Sequence, residues 1–176
     1  MKKLLIVAYV LFSAIFLLYL GLPSPSFPLP PSDARISNEP ADTENPLRRA
    51  YFTNFTRGEV TDSYQKQFEK SSLFGIKIPT YRLNYAPEEA QAIIRDQARS
   101  TFLEEVVHPF RESVFINGFE PKEAKDAVVI DTVPWRQKIT VRFVPSNLYV
   151  RLIVGSLTLI MMFVLFRELT DVKKRN

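Results

Sequence analysis

Two apolar runs bracket the chain, Leu4 to Leu22 and Leu152 to Phe166, and each has basic residues just outside it. Lys2 and Lys3 precede the first, and Arg167, Lys173, Lys174 and Arg175 follow the second. That arrangement predicts two membrane spans with both termini in the cytoplasm, because cations accumulate on the cytoplasmic side of span ends. The residues between them are then expected on the far side of the bilayer, out of reach of cytoplasmic nucleotides and nucleic acid.

The first run has 19 residues, and a helix of that length rises about 28 Å, close to the thickness of the hydrocarbon layer. It continues into Gly21-Leu22-Pro23-Ser24-Pro25 without a small-x-small site free of proline, so residues 1–22 read as an uncleaved signal anchor. The second run is a shorter uncharged stretch, about 22 Å of helix, and needs Leu148, Tyr149, Val150 and the stem of Arg151 to reach the interface, giving a span over 148–167 and a basic cytoplasmic tail over 168–176. Arg151 is an interaction candidate. Its guanidinium is expected to extend to lipid phosphates, or to pair with a carboxylate of a partner subunit.

The basic balance belongs to the ends. The chain carries a net charge of +4, yet residues 23–148 hold 16 basic against 17 acidic residues. Basicity therefore encodes orientation and attraction to anionic membrane lipids rather than nucleic-acid binding. With no cysteine in the chain, the central region has neither disulfides nor a thiolate ligand or nucleophile, and must hold together by packing.

Seven of the 13 prolines fall in residues 23–47, mixed with Ser, Asp, Glu and Asn. This composition predicts an extended extracytoplasmic linker, reaching on the order of 75 Å if fully stretched. Residues 48–147 suffice for one small extracytoplasmic domain with its own core. At its far end Pro145-Ser146-Asn147 leave little slack, which places that domain near the outer leaflet.

Inside the domain, Thr56 and Glu59 form a capping box, and Val60, Tyr64 and Phe68 recur every four residues, predicting a helix that ends near Ser71-Ser72. Gly75 to Tyr85 alternates imperfectly around Pro79 and reads as an edge strand. Pro87-Glu88-Glu89 is a helix start, and Ala90, Ile94, Ala98, Phe102 and Val106 predict a buried helical stripe that stops at His108, before Pro109. Val114-Phe115-Ile116, the dipeptide Asn117-Gly118 and Phe119 read as a hairpin with its turn at the dipeptide. Ala127 to Val133 and the clean alternation of Lys138 to Val144 are two further strands, joined by Pro134-Trp135-Arg136-Gln137. The expected fold is thus α+β, a membrane-tethered small domain in which two helices pack on an antiparallel sheet of about four strands, flanked by N- and C-terminal transmembrane helices.

Chemistry is thinly encoded. Glu105 and His108, three apart on the expected helix, are the one candidate metal pair, and the chain's single histidine falls short of the two Glu-x-x-His units that a di-iron site needs. Asp96, Glu104, Glu105, Glu112, Glu120 and Asp131 supply carboxylates, but their spacing nominates no catalytic pair. Glycine-rich phosphate loops and nucleophile elbows are missing from the sequence, so no cofactor and no catalytic residue is assigned. Trp135 and Arg136 are candidate contact residues for a partner or for headgroups. The reading that follows is an integral membrane protein whose central domain serves protein interaction or assembly in the cell envelope, with membrane lipids and an envelope or membrane protein as partners. A membrane-tethered sensor or ligand-binding module is the alternative, and a carboxylate-dependent hydrolase the third.

Overall fold

The computed structural model describes residues 2–43, 45–70, 77–95, 97 and 99–175. These form two compact units, Met1–Ser24 with Ser146–Asn176, and Pro25–Pro145.

The first unit is a helix pair, α1 (Lys2–Gly21) and α5 (Leu148–Arg175). Both are long and apolar enough to cross a membrane, over Lys3–Gly21 and Leu148–Asp171, and most of their apolar side chains are exposed. They approach closely where Gly155 meets Leu20: a Cβ added at Gly155 would lie 2.4 Å from Leu20 Cδ1. A small residue at a helix crossing lets backbones and side chains pack where lipid gives no hydrophobic drive. The Tyr9 hydroxyl donates to the Leu159 carbonyl, and the Tyr9 and Phe163 rings stand 5.9 Å apart.

The second unit is built on an antiparallel sheet. Its strands are β1 (Arg35–Ile36), β2 (Arg48–Thr53), β3 (Tyr81–Tyr85), β4 (Phe102–Val107), β5 (Ser113–Phe119) and β8 (Gln137–Val144), in the order β1-β2-β8-β5-β4-β3. A separate hairpin pairs β6 (Val128–Ile130) with β7 (Val133–Trp135). Among the described residues the main sheet therefore has six strands rather than four. The fold class, helices with a mostly antiparallel sheet, is as expected.

Helix α3 (Arg57–Glu69) covers one face of the sheet. It starts where the capping box requires, with the Thr56 side chain accepting from the Glu59 amide and the Glu59 carboxylate accepting from the Thr56 amide. Val60, Tyr64 and Phe68 then bury against Phe102, Val106, Val114, Ile116, Ile139, Val141 and Phe143 in the main core. Burial pushes the Tyr64 hydroxyl well above the usual tyrosine value. The helix closes at Glu69 with Lys70 as its C-cap, while Ser71-Ser72, the Gly75-Ile76 start of the next strand, Asp96 and Ala98 lie outside the described residues.

The long second helix is corrected. After a turn of 3₁₀ helix at Pro87–Glu89, α4 covers only Ala90–Ile93, and Arg95 leaves it at φ 68. Phe102 to Val107 is strand β4, hydrogen-bonded on both sides by β3 and β5. A spacing of four places Phe102 and Val106 on one face in a helix and in a strand alike, so the stripe was ambiguous from the outset. The adjacent Val106-Val107 pair favours the strand, and tertiary pairing decides it.

The turn at Asn117-Gly118 is corrected too. Both residues are in the middle of β5, opposite Thr140 and Ile139 of β8, and the β4–β5 hairpin turns instead at residues 108–112. Gly118 is there for space: a Cβ would meet the Phe102 ring at 2.1 Å and the Gln137 side-chain oxygen at 2.9 Å. Asn117 is buried and donates to the Ser100 hydroxyl at 2.7 Å and to the Phe102 carbonyl at 3.0 Å. Pro134 and Trp135, read as a connection, belong to β7, whose turn from β6 uses Asp131 and Thr132 at positive φ.

Much of the segment read as a linker packs. Phe27 joins the main core, Gln67 exchanges two hydrogen bonds with the Leu29 backbone, and Asp33 accepts from the Thr53 hydroxyl at 2.6 Å and the Asn54 amide at 2.7 Å. Ser37 and Asp42 are buried and bonded to each other at 2.7 Å. Proline content did not make this stretch slack: it combines extended backbone along the sheet edge with one helical turn, α2 (Pro40–Thr43), and both are tied down by polar anchors.

Candidate functional site

Alternation along β4 sends Phe102, Glu104 and Val106 to the α3 face, and Leu103 and Glu105 to the opposite one. His108, just past the strand, has its ring 4.9 Å from that of Phe68, tilted by 43°, and so joins the α3 side. The candidate pair Glu105 and His108 is thereby divided between the two faces. Among the described residues no three His, Cys, Asp or Glu side chains stand together as metal ligands.

Each half of that pair has another partner. Glu105 accepts from the Tyr85 hydroxyl at 2.6 Å, and this bond is the main reason the Tyr85 pKa rises to about 12. His108 Nδ1 lies 2.8 Å from Glu112 Oε1, the same oxygen that Arg111 Nη2 reaches at 2.9 Å, and all three side chains are buried. Burial pushes the Glu112 carboxyl up, but the hydrogen bond from His108 and the charge of Arg111 outweigh it, so its pKa ends below the usual value. This arrangement ties the β4–β5 turn together as a charge-assisted knot.

The carboxylate with the most cationic surroundings is Glu104, which has no solvent exposure. Arg57 Nε stands 2.5 Å from one of its oxygens, and Arg82 donates to both through Nε and Nη2. Arg57 also reaches the Asn84 side-chain oxygen at 2.8 Å, and its guanidinium lies 5.2 Å from the centre of the Phe102 ring. Two guanidiniums thus share one buried carboxylate through charge-assisted hydrogen bonds. Glu120 bonds Arg136, and Asp131 bonds Arg35. The described carboxylates of the expected set thus each have a donor of their own rather than each other, a cation for Glu104, Glu112, Glu120 and Asp131 and the Tyr85 hydroxyl for Glu105.

Trp135 and Arg136 are held by the domain. Trp135 is half-buried, while the Arg136 amide donates to Asn54 Oδ1 at 3.0 Å and its Nε to Glu120 at 2.7 Å. Arg151 is also occupied. It is only 5 % exposed, and its guanidinium donates to the Leu22 carbonyl at 2.7 Å and the Ser24 hydroxyl at 3.2 Å, just beyond the C-terminus of α1. The last carbonyls of a helix lack intrahelical donors and carry the negative end of its dipole, so a cation supplied by the neighbouring helix satisfies both.

The exposed apolar feature of the sheet is its edge. Among the described residues strand β3 is the last in the order and is bonded to β4 alone, so its outer row of amides and carbonyls faces away from the sheet. Tyr81 and Leu83, on the face opposite α3, are 57 % and 42 % exposed, while Arg82 and Asn84 point to the α3 face and are engaged by Glu104 and Arg57. No protein-family model, curated protein or solved structure matches the chain.

Proposed function

We propose that the protein is a two-span membrane protein with both termini in the cytoplasm, whose central domain is an interaction module for assembly with another envelope or membrane protein. Two apolar helices of spanning length with basic residues at their outer flanks support the orientation. Membrane lipids surround the spans, and the near-neutral balance of residues 23–148 favours a protein partner over nucleic acid.

Strand β3 is the observation that carries the interaction reading. An edge strand with unpaired backbone groups and exposed apolar side chains is a template on which an extended segment of a partner adds as a further strand, its backbone supplying affinity and its side chains specificity. Natural edges of this kind are usually blunted by charge, and here the one cation, Arg82, is turned inward to Glu104. The partner is therefore expected to contribute an extended, apolar-alternating segment.

A photo-crosslinking side chain placed at Tyr81 in intact cells tests this. A discrete adduct is expected from position 81, absent from the exposed control position Val129, and lost when Leu83→Lys puts a charge on the edge. An adduct that persists in Leu83→Lys, or forms equally from position 129, contradicts strand addition.

A further inference from the structure

On the face of the sheet opposite α3, register sets up a row across the strands: Leu83, Glu105, Phe115, Arg142 and Arg48. Arg48 and Arg142 are direct partners across β2 and β8, on the same face. Like charges placed directly opposite each other on paired strands destabilise a sheet. A cavity of about 530 Å³ opens at this point, lined by Asn45, Pro46, Arg48, Ile94, Arg95 and Arg142. Three of its described walls are arginines and none is acidic.

Arg48 and Arg142 are positioned largely by neutral acceptors. Arg142 donates to the Ile93 carbonyl, and Arg48 to the carbonyls of Ala41 and Arg95, all of them uncharged acceptors. Among the described residues the carboxylate beside Arg48 is Asp42, which pairs with it at 3.7 Å and is shared through its other oxygen with Lys138 Nζ at 2.7 Å and the Ser37 hydroxyl at 2.7 Å. The Arg48 side chain is only 7 % exposed, and its Nε is buried with no partner among the described residues. Burying guanidinium donors without acceptors is costly, and an incoming oxyanion removes that cost while screening the Arg48–Arg142 repulsion.

We infer that this cavity is a binding site for a small organic oxyanion, a phosphate- or carboxylate-bearing molecule gripped by Arg48 and Arg142. Guanidinium forks match both groups in geometry as well as charge. The cavity volume lies within the usual range of small-molecule sites and exceeds what a bare phosphate ion fills, and Pro46 and Ile94 offer apolar wall to the rest of the ligand. The site stands apart from the β3 edge and does not depend on strand addition there.

The full-length chain in detergent, melted in rising inorganic phosphate or citrate against sodium chloride of equal ionic strength, tests the inference. A saturable rise in Tm beyond the chloride control is expected with at least one of the two anions. Arg142→Gln should weaken the apparent affinity by about tenfold or more, as expected for loss of charge-assisted hydrogen bonds. Arg142→Lys should retain part of the response, and Lys125→Gln, which removes an exposed charge elsewhere, should retain all of it. Circular dichroism confirms that each variant is folded. Vesicles containing phosphatidylglycerol, added in a parallel arm, tell a lipid phosphate from a soluble one. No saturable response in the unmodified chain to phosphate, citrate or vesicles, or an equal response in folded Arg142→Gln, overturns the site.

Discussion

The same six strands present two unlike faces. Toward α3 the side chains are large, apolar and dry: Phe102, Val106, Val114, Ile116, Ile139, Val141 and Phe143 close against Val60, Tyr64 and Phe68, with one buried carboxylate held by two arginines. The other face has a smaller cluster, in which Ala90, Ile94 and Leu103 are buried beside Tyr85 and Phe115, followed along the row by Arg142 and Arg48. A sheet needs one well-covered face to be stable, and the long helix supplies it. The second face, roofed by the four-residue α4, is free to carry charge, an open cavity and an exposed edge. Stability is concentrated on one side and the proposed binding surface on the other.

Substitutions on the α3 face should break that division with the largest effects. Phe102→Ala is expected to cost about 3–5 kcal/mol in chemical denaturation, because a buried ring is lost and Gly118, which exists to admit that ring, leaves a void beside it. Glu104→Ala should cost about 2 kcal/mol, less than a fully buried pair would, since Arg57 and Arg82 are 40 % and 34 % exposed and regain water. On the other face, Arg142→Met in anion-free buffer should change stability by less than about 0.5 kcal/mol or raise it, as it relieves a like-charge pair. A loss there as large as that of Phe102→Ala would erase the contrast between the faces.

Acid sharpens the comparison further. The Glu112 pKa is lowered in the folded chain relative to the usual 4.5, so the folded state binds fewer protons than the unfolded one between the two values. The stabilisation it confers is present above pH 4.5 and is lost as pH falls through the lower, folded value. Thermal melts between pH 6 and pH 3 should show this decline, and Glu112→Gln should flatten it. An unchanged profile in that variant would mean the His108–Glu112–Arg111 knot contributes little.

What the sequence made legible follows from how local each signal is. The capping box at Thr56 and Glu59, the stripe through Phe68 and the alternation of Ile139, Val141 and Phe143 need no distant partner to be read, and each formed where expected. Strand β4 was read as helix because its outer neighbours decide its state, and because Glu104-Glu105 looks like a solvated helical surface until Arg57, Arg82 and Tyr85 arrive from elsewhere. Strand β2 escaped notice since Arg48 to Thr53 shows almost no alternation, five of its six residues being buried. The arginine-lined cavity could not be seen in advance: its walls come from residues 45–48, 94–95 and 142, joined by strand register alone. One signal was available, two arginines on strands that pair, but pairing of β2 with β8 spans most of the domain.

All functional readings rest on the side of the membrane that the central domain occupies. The natural chain has no cysteine, so single cysteines at Val129, which is 55 % exposed, and at Lys173 can be probed with a membrane-impermeant maleimide in intact cells. Val129→Cys is expected to label directly, and Lys173→Cys only after the membrane is permeabilised. The reverse pattern would place the β3 edge and the arginine cavity in the cytoplasm and contradict the proposed envelope role.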